Sequence, residues 1–255
     1  MTALSPAASD YLLTLADDEH MIGARHTAWI GMGPFLEEDL AFCSIAQDEL
    51  GHAIALYRLI TGDESITGVH VDALALGRDH GDYRSSWLCE WPTDDWASAL
   101  VRHWLYDLAE QLRWHNLATS TVSEAAALLP GIEREEAFHR QHASSLLDRV
   151  LAIGGPTNAR SQINAALAEL APIADSLWVA PMLEADAIAE GVASVTFAEL
   201  GVQWHTTVRA ELDRLGLDAT FSSSPQADRT ERSPHFAALH QDLNAVRVED
   251  PTAIW

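Results

Sequence analysis

The chain contains no lysine, only two cysteines and no long uncharged apolar run. Cys43 and Cys89 are too few for a disulfide framework or a thiolate metal site, so we expect two reduced thiols. No stretch approaches the ~20 apolar residues that span a bilayer, and residues 1–6 lack the basic and apolar regions of a secretory signal. These absences predict a cytoplasmic protein that is not anchored in a membrane.

Positive charge is also scarce, because 15 basic residues, all arginine, stand against 38 acidic residues. The formal net charge of −23 leaves no basic surface to neutralise phosphates. This balance excludes nucleic acids and anionic membranes as expected partners. Hydrophobic residues still make up 48% of the 255 residues, which is enough to form a buried core.

The first 155 residues predict four long helices, at about 7–30, 37–60, 93–120 and 123–153. Breaker residues separate them, namely Gly31 to Pro34, Gly62, and Gly154-Gly155-Pro156. Thr93 is the predicted N-cap of the third helix, and Pro130 predicts either a kink in the fourth helix or its true start. Short links within each pair and a long crossover at 63–91 are typical of a ferritin-like four-helix bundle.

Two or three more helices are predicted beyond the bundle, at about 161–177, 194–215 and 234–246, with a loop at 222–225. No long stretch alternates between apolar and polar residues as a strand would. We therefore expect an all-α fold in one domain, 1–255, with a core bundle at about 7–155 and a helical extension at about 157–255.

Two Glu-x-x-His motifs carry the chemistry of the sequence. Glu49 and His52 lie on the second predicted helix, and Glu136 and His139 lie on the fourth. Residues three apart share one face of a helix, so each motif directs a carboxylate and an imidazole to one point. One such motif arises easily by chance, but two on alternate helices of a four-helix pattern indicate a metal site.

A ferritin-like site needs one more carboxylate from each remaining helix. Glu19 lies thirty residues before Glu49, and Asp107 lies twenty-nine residues before Glu136. This near-equal spacing favours Glu19 and Asp107 as terminal ligands, with Glu49 and Glu136 bridging two metals. Three alternatives remain open, which are Glu110 in place of Asp107 and either Asp18 or His20 in place of Glu19.

A site rich in carboxylates with two imidazoles suits iron or manganese better than structural zinc. Metal-bound histidines usually donate their second ring N–H to a carboxylate. Asp48 and Glu135 each precede a predicted bridging glutamate, and we expect Asp48 to reach His139 and Glu135 to reach His52. The other histidines, including His103, His115 and His142, are interpreted as surface or packing residues.

The motif segments resemble those of phenylacetyl-CoA epoxidase subunits, which belong to the bacterial multicomponent di-iron oxygenases. The segments similar to the catalytic A subunit are Ala46 to His52 with Leu56-Tyr57, and Glu135 to Gln141. Outside the ligands the chain is more similar to the C subunit, which supports the catalytic subunit and has lost most metal ligands. Those segments are Pro34 to Ala41, Trp104 to Asp107, Glu190 to Ala193, and Trp255.

The resemblance implies a di-iron oxygenase subunit that uses dioxygen to oxygenate an aromatic acyl-CoA thioester. It implies a homo- or hetero-oligomer with a related ferritin-like subunit. Electrons would come from a separate reductase, because the chain lacks a glycine-rich dinucleotide loop and an iron–sulfur cysteine set. Two alternatives stay open, which are a non-catalytic scaffold for an A-type partner and a ferritin-like metal oxidase or store.

Overall fold

The computed structural model describes residues 3–63, 68–152 and 158–250, and all regular structure within these ranges is helical. The α-helices are α1 (Pro6–Thr27), α2 (Leu36–Thr61), α3 (Val69–Leu76), α4 (Trp87–Glu90), α5 (Trp96–His115), α6 (Ser123–Ala152), α7 (Asn158–Ala174), α8 (Glu184–Ala189), α9 (Phe197–Leu215) and α10 (Phe236–Glu249). Two single 3₁₀ turns add His80–Asp82 and Asp175–Trp178. None of the helices in the described ranges has both the length and the apolar character needed to cross a membrane.

The four long helices α1, α2, α5 and α6 form the predicted bundle. Helix α1 packs along α2, α5 packs along α6, and the two hairpins meet where α2 contacts α6. The crossover between the hairpins holds the short helices α3 and α4, and α7 and α9 pack against the outer side of α5. The predicted all-α, ferritin-like class of fold is confirmed.

Local sequence signals set several helix ends. Ser5 caps α1, since its hydroxyl oxygen accepts from the backbone N–H of Ala8 at 3.0 Å. Gly62 ends α2 as predicted, in the left-handed region at φ 66°. The predicted N-cap Thr93 is wrong: Asp95 caps α5, because it forms a capping box in which its carboxylate accepts from the backbone N–H of Ser98 at 2.8 Å.

The fourth bundle helix begins at Ser123, so the alternative start near Pro130 is wrong. Pro130 is exposed inside α6 and lacks the N–H that an ordinary helical residue would donate. Helix α8 was not predicted, because six residues are too short to show a helical period. The predicted breaker Gly154-Gly155-Pro156 and the terminal Trp255 lie outside the described residues.

The buried core consists of two main apolar clusters that meet along α1. Leu15 and Ala16 belong to one cluster, and Met21 and Ile22 belong to the other. Glu19 lies between them and is only 1% exposed. A carboxylate at this position is costly to bury alone, so it must be compensated by its neighbours. Cys43 and Cys89 are unbonded, as expected.

Candidate metal centre

The four bundle helices bring six buried side chains together at the centre of the bundle. Helix α1 contributes Glu19, α2 contributes Glu49 and His52, α5 contributes Glu110, and α6 contributes Glu136 and His139. They form two overlapping groups, Glu19, Glu49, His52 and Glu110, and Glu49, Glu110, Glu136 and His139. Within each group the potential ligand atoms lie within 4.8 Å of one another.

Both imidazole rings turn their Nδ1 atoms toward the carboxylates. His52 Nδ1 lies 3.6 Å from Glu19 Oε2, 3.6 Å from Glu110 Oε1 and 3.8 Å from Glu49 Oε2. His139 Nδ1 lies 3.0 Å from Glu136 Oε1 and 3.7 Å from Glu49 Oε1. The Glu-x-x-His spacing therefore does what the helical period predicts, since each pair converges on one point.

Many of the polar atoms that face the cluster have no hydrogen-bond partner in the described part of the chain. Both Nδ1 atoms and at least one oxygen of each carboxylate are buried and make no hydrogen bond within the described part of the chain. Buried polar atoms are almost always satisfied, so an orphaned cluster of this size needs an explanation. Two divalent cations would balance four carboxylates, and the oxygen-rich donor set with two imidazoles fits iron or manganese.

The electrostatic interactions among the cluster's own side chains also favour a bound cation. Burial, and then the charge of Glu110, raises the pKa of Glu19 to about 7 and the pKa values of Glu49 and Glu136 well above the usual range. Burial opposes a charge on His52, but contacts with Glu110 and Glu19 raise its pKa to about 12. Carboxylates buried this close together need protons or cations to balance their charge.

Each imidazole is held from outside the cluster by the carboxylate expected from the sequence. His52 Nε2 lies 2.9 Å from Glu135 Oε2, and His139 Nε2 lies 3.2 Å from Asp48 Oδ2. A ring that donates from Nε2 keeps the lone pair of Nδ1 directed at the cluster. Glu135 and Asp48 are partly exposed, so they connect the buried rings with the surface.

Glu110, not Asp107, completes the two groups. Asp107 lies one helical turn earlier on α5, and its Oδ1 is 3.0 Å from Nδ1 of His103. Equal spacing would place Asp107 at the level of Glu19 only if the two hairpins were identical, but they differ. Glu19 lies eight residues before the last residue of α1 (27 − 19), whereas Glu110 lies five before the last residue of α5 (115 − 110).

The alternatives to Glu19 have other partners. The Asp18 carboxylate accepts from Arg113 and Arg229, and His20 Nδ1 lies 3.4 Å from the Tyr57 hydroxyl. Neither residue belongs to the two groups that could hold a metal. Glu19 therefore remains the donor that α1 offers to the cluster.

Glu49 and Glu136 are the predicted bridging ligands, and the structure places them differently relative to the two groups. Glu49 belongs to both groups, as a bridging ligand should, and so does Glu110. Glu136 belongs to the second group, but its Oε1 also lies 3.9 Å from His52 Nδ1. Glu136 is therefore close to both imidazoles, and its bridging role stays a prediction.

A cavity of about 240 Å³ opens beside the cluster between α5 and α6. It is lined by Gln111, Trp114, Glu133, Glu136 and Arg140. Glu136 belongs to both the cavity wall and the cluster. The Trp114 ring lies 5.7 Å from the His52 ring, and its Nε1–H donates to Glu110 Oε1 at 3.1 Å. A small apolar molecule in this cavity would be next to the cluster.

Sequence reasoning missed a second polar group behind His139. His103 is fully buried, and the His142 side chain is 8% exposed, so neither is an ordinary surface residue. His115, in contrast, is 71% exposed in its side chain and agrees with the surface interpretation. The available signal was the helical period, because His103 precedes Asp107 by four residues and His142 follows His139 by three.

Comparison with known proteins places the chain in one family. A family model described as phenylacetic acid catabolic protein matches residues 2–255, nearly the whole chain. No individually curated protein matches the chain. The family match agrees with the all-helical bundle and with a buried carboxylate and imidazole cluster that could bind metal. The chain therefore belongs to the phenylacetic acid catabolic protein family.

Proposed function

We propose that this protein is a di-iron oxygenase subunit of the phenylacetyl-CoA epoxidase type. The observation that carries the proposal is the set of six buried side chains whose potential ligand atoms lack protein partners. The residues that would hold the metal are Glu19, Glu49, His52, Glu110, Glu136 and His139. Manganese is the alternative metal.

Bound iron would supply the reduction of dioxygen, which no amino-acid side chain can perform. The chain's own residues prepare the site. Glu135 and Asp48 hold His52 and His139 with Nδ1 facing inward, and the apolar clusters around α1 keep bulk water away. Dioxygen and electrons would both come from outside, the electrons from a separate reductase.

The proposed substrate is an aromatic acyl-CoA thioester, as the family membership suggests. The 240 Å³ cavity is large enough for an aromatic ring and has Trp114 in its wall. Arg140 at the same cavity would attract an anionic group of the substrate. The ring would then lie beside Glu136, at the edge of the cluster.

A purely structural role for this protein is less well supported than a catalytic role. Four buried carboxylates at one point are destabilising unless they bind something, and they are the feature that a scaffold would have no reason to keep. Assembly with a related ferritin-like subunit is compatible with catalysis in this chain, and we propose such an oligomer.

A single-turnover experiment tests this function. Iron-loaded protein is reduced without oxygen, mixed with phenylacetyl-CoA and exposed to isotope-labelled dioxygen, with and without an added A-type partner. We expect one labelled oxygen atom in the thioester product and none with a Glu49→Ala variant. Iron-loaded protein that reacts with dioxygen but never labels the thioester would favour a metal oxidase instead.

A further inference from the structure

Trp114 on α5 connects the candidate metal centre with the cavity beside it. Its side chain is only 2% exposed, and its ring lies 5.7 Å from the His52 ring at an interplanar angle of 75°. The same side chain forms part of the cavity wall, as Glu136 does. A single buried side chain thus adjoins both an imidazole of the cluster and the cavity.

Trp114 also holds one carboxylate of the cluster. Its Nε1–H donates to Glu110 Oε1 at 3.1 Å, across one turn of α5, because the two residues are four apart. Glu110 Oε2 makes no hydrogen bond in the described part of the chain, and neither oxygen of Glu49 or Glu136 makes one. Glu110 is therefore fixed through one oxygen, while its second oxygen is available to a cation.

An indole is a suitable donor for a carboxylate that binds metal. Its N–H is neutral, so it orients the carboxylate and leaves the negative charge of that group to attract a cation. A guanidinium in the same place would compete with the cation. Asp18 shows this difference, because it accepts from Arg113 and Arg229 and belongs to neither group that could hold a metal.

The orientation of Glu110 affects the whole cluster. Glu110 Oε1, the atom that accepts from Trp114, lies 3.6 Å from His52 Nδ1. Glu110 also belongs to both groups that could hold a metal. A displacement of the Trp114 ring would therefore change the position of a carboxylate that both groups share.

We propose that Trp114 is a positioning residue that orients Glu110 for metal binding and makes metal affinity respond to a molecule in the cavity. This inference rests on the proposed function, since it concerns the same cluster and the same cavity. A molecule that fills the cavity contacts Trp114 in its wall. Because Trp114 donates to Glu110, this contact reaches the cluster through one hydrogen bond.

Nuclear magnetic resonance of protein labelled with nitrogen-15 at the indoles tests the hydrogen bond. The signal missing from a Trp114→Phe variant identifies Trp114. We expect this Nε1–H signal to shift in Glu110→Gln, and to shift in the wild type when zinc, a diamagnetic probe ion, binds. The control is the signal of Trp91, whose Nε1–H donates to the exposed Glu169 at 3.0 Å and should not move. A Trp114 signal unchanged by both the substitution and zinc would overturn the inference.

Manganese titration of metal-free protein tests the positioning role. We expect Trp114→Phe to weaken manganese binding by about 10- to 100-fold, because Glu110 loses the donor that orients it. The matched control is Trp204→Phe. Trp204 is also buried, but its Nε1–H donates to the backbone carbonyl of Leu105 at 3.0 Å. Trp204→Phe should bind manganese as the wild type does. Equal affinity in wild type and Trp114→Phe, both shown to be folded by circular dichroism, would contradict the positioning role.

The link to the cavity is tested with phenylacetamide, a neutral aromatic probe. We expect saturating phenylacetamide to change the manganese dissociation constant of the wild type by about 5-fold or more. Manganese should change the dissociation constant of phenylacetamide by the same factor, because coupling between two sites is reciprocal. In Trp114→Phe this factor should fall to nearly one. Phenylacetamide that does not bind, or the same factor in Trp114→Phe and wild type, would overturn the link.

The inference and the proposed function fail in distinguishable ways. These tests use zinc, manganese and phenylacetamide, and they need no dioxygen, reductase or thioester. Iron-loaded protein that never labels the thioester overturns the proposed function, whereas the manganese affinities still decide the role of Trp114. Labelled product from a wild type whose manganese affinity equals that of Trp114→Phe overturns the inference alone.

Discussion

His52 Nε2 lies 2.9 Å from Glu135 Oε2, while the Nδ1 atom of the same ring faces Glu19, Glu49 and Glu110. One imidazole thus links a partly exposed carboxylate with a buried carboxylate cluster. The His139 ring repeats this relationship with Asp48 at 3.2 Å. The two hairpins of the bundle are alike in this respect, because each imidazole of the cluster lies next to the residue that precedes a glutamate of the opposite helix.

The outer carboxylates should tune metal affinity. We expect Glu135→Gln and Asp48→Asn each to weaken iron or manganese binding by roughly 10- to 100-fold, because the imidazole loses a charged acceptor that fixes its orientation. Titration of metal-free protein measures the affinity. Glu124→Gln changes an exposed carboxylate on the same helix and should bind metal as the wild type does. Equal affinities in all these proteins would show that Glu135 and Asp48 do not affect metal binding.

Metal should stabilise the fold. Binding to the native state alone adds about 3 kcal/mol when the free metal concentration is about 100 times the dissociation constant. The Tm of metal-free protein should therefore rise on loading and fall again with a chelator. Glu49→Gln should raise the Tm of metal-free protein, because one buried carboxylate is removed from the cluster, and should abolish the increase on loading. An equal increase in the variant would contradict this.

The carboxylate next to Glu19 should be structural rather than metal-binding. Burial alone would raise the pKa of Asp18, but Arg229 and Arg113 lower it below its ordinary value of 3.8. A lowered folded pKa stabilises the protein above that value, and the contribution is lost as the pH falls below about 4. Asp18→Asn should cost about 3–5 kcal/mol in urea unfolding at neutral pH, because it leaves two buried guanidinium groups without their anion.

A surface ion pair provides the control for Asp18. Asp148 accepts from Arg214 at 2.7 Å, but both side chains are more than 40% exposed. Asp148→Asn should cost less than about 1 kcal/mol. Equal stability of the two variants would show that the buried network around Asp18 does not stabilise the fold.

The close contact between α1 and α2 beside the cluster depends on Gly23, which has no side chain. A Cβ atom at Gly23 would lie 3.0 Å from Leu50 Cγ and 3.1 Å from Glu49 Cβ. Gly23→Ala should therefore push α1 away from α2, cost about 1–3 kcal/mol and weaken metal binding. Gly51→Ala is the matched change on α2, where nothing lies within 4 Å of the new atom. It should stabilise the helix by about 0.5–1 kcal/mol, and a neutral Gly23→Ala would contradict the tight contact.

The sequence predicted the bundle and most of the cluster because helical periods are local. Glu49 with His52 and Glu136 with His139 need only the 3.6-residue repeat to converge, and Gly62 needs only its own conformational freedom. The choice between Asp107 and Glu110 depends on how far each hairpin overlaps. That overlap is set by packing between helices, which no local pattern contains.

The contacts among Glu38, His103 and His142 were missed for the same reason. The three residues come from three helices, and each alone looks like an ordinary polar helical residue. Only the packing of α2, α5 and α6 brings them together. Residue spacing along the chain does not predict contacts between helices that are far apart in sequence.

The central claim is that the cluster with Glu110, and not Asp107, holds two metal ions. The most direct measurement is the iron content of purified, iron-loaded wild type beside Glu110→Gln and Asp107→Asn, each shown to be folded by circular dichroism. The account predicts about two irons per chain in the wild type and in Asp107→Asn, and a loss in Glu110→Gln. Folded wild type without metal, or metal lost from Asp107→Asn but kept by Glu110→Gln, would contradict it.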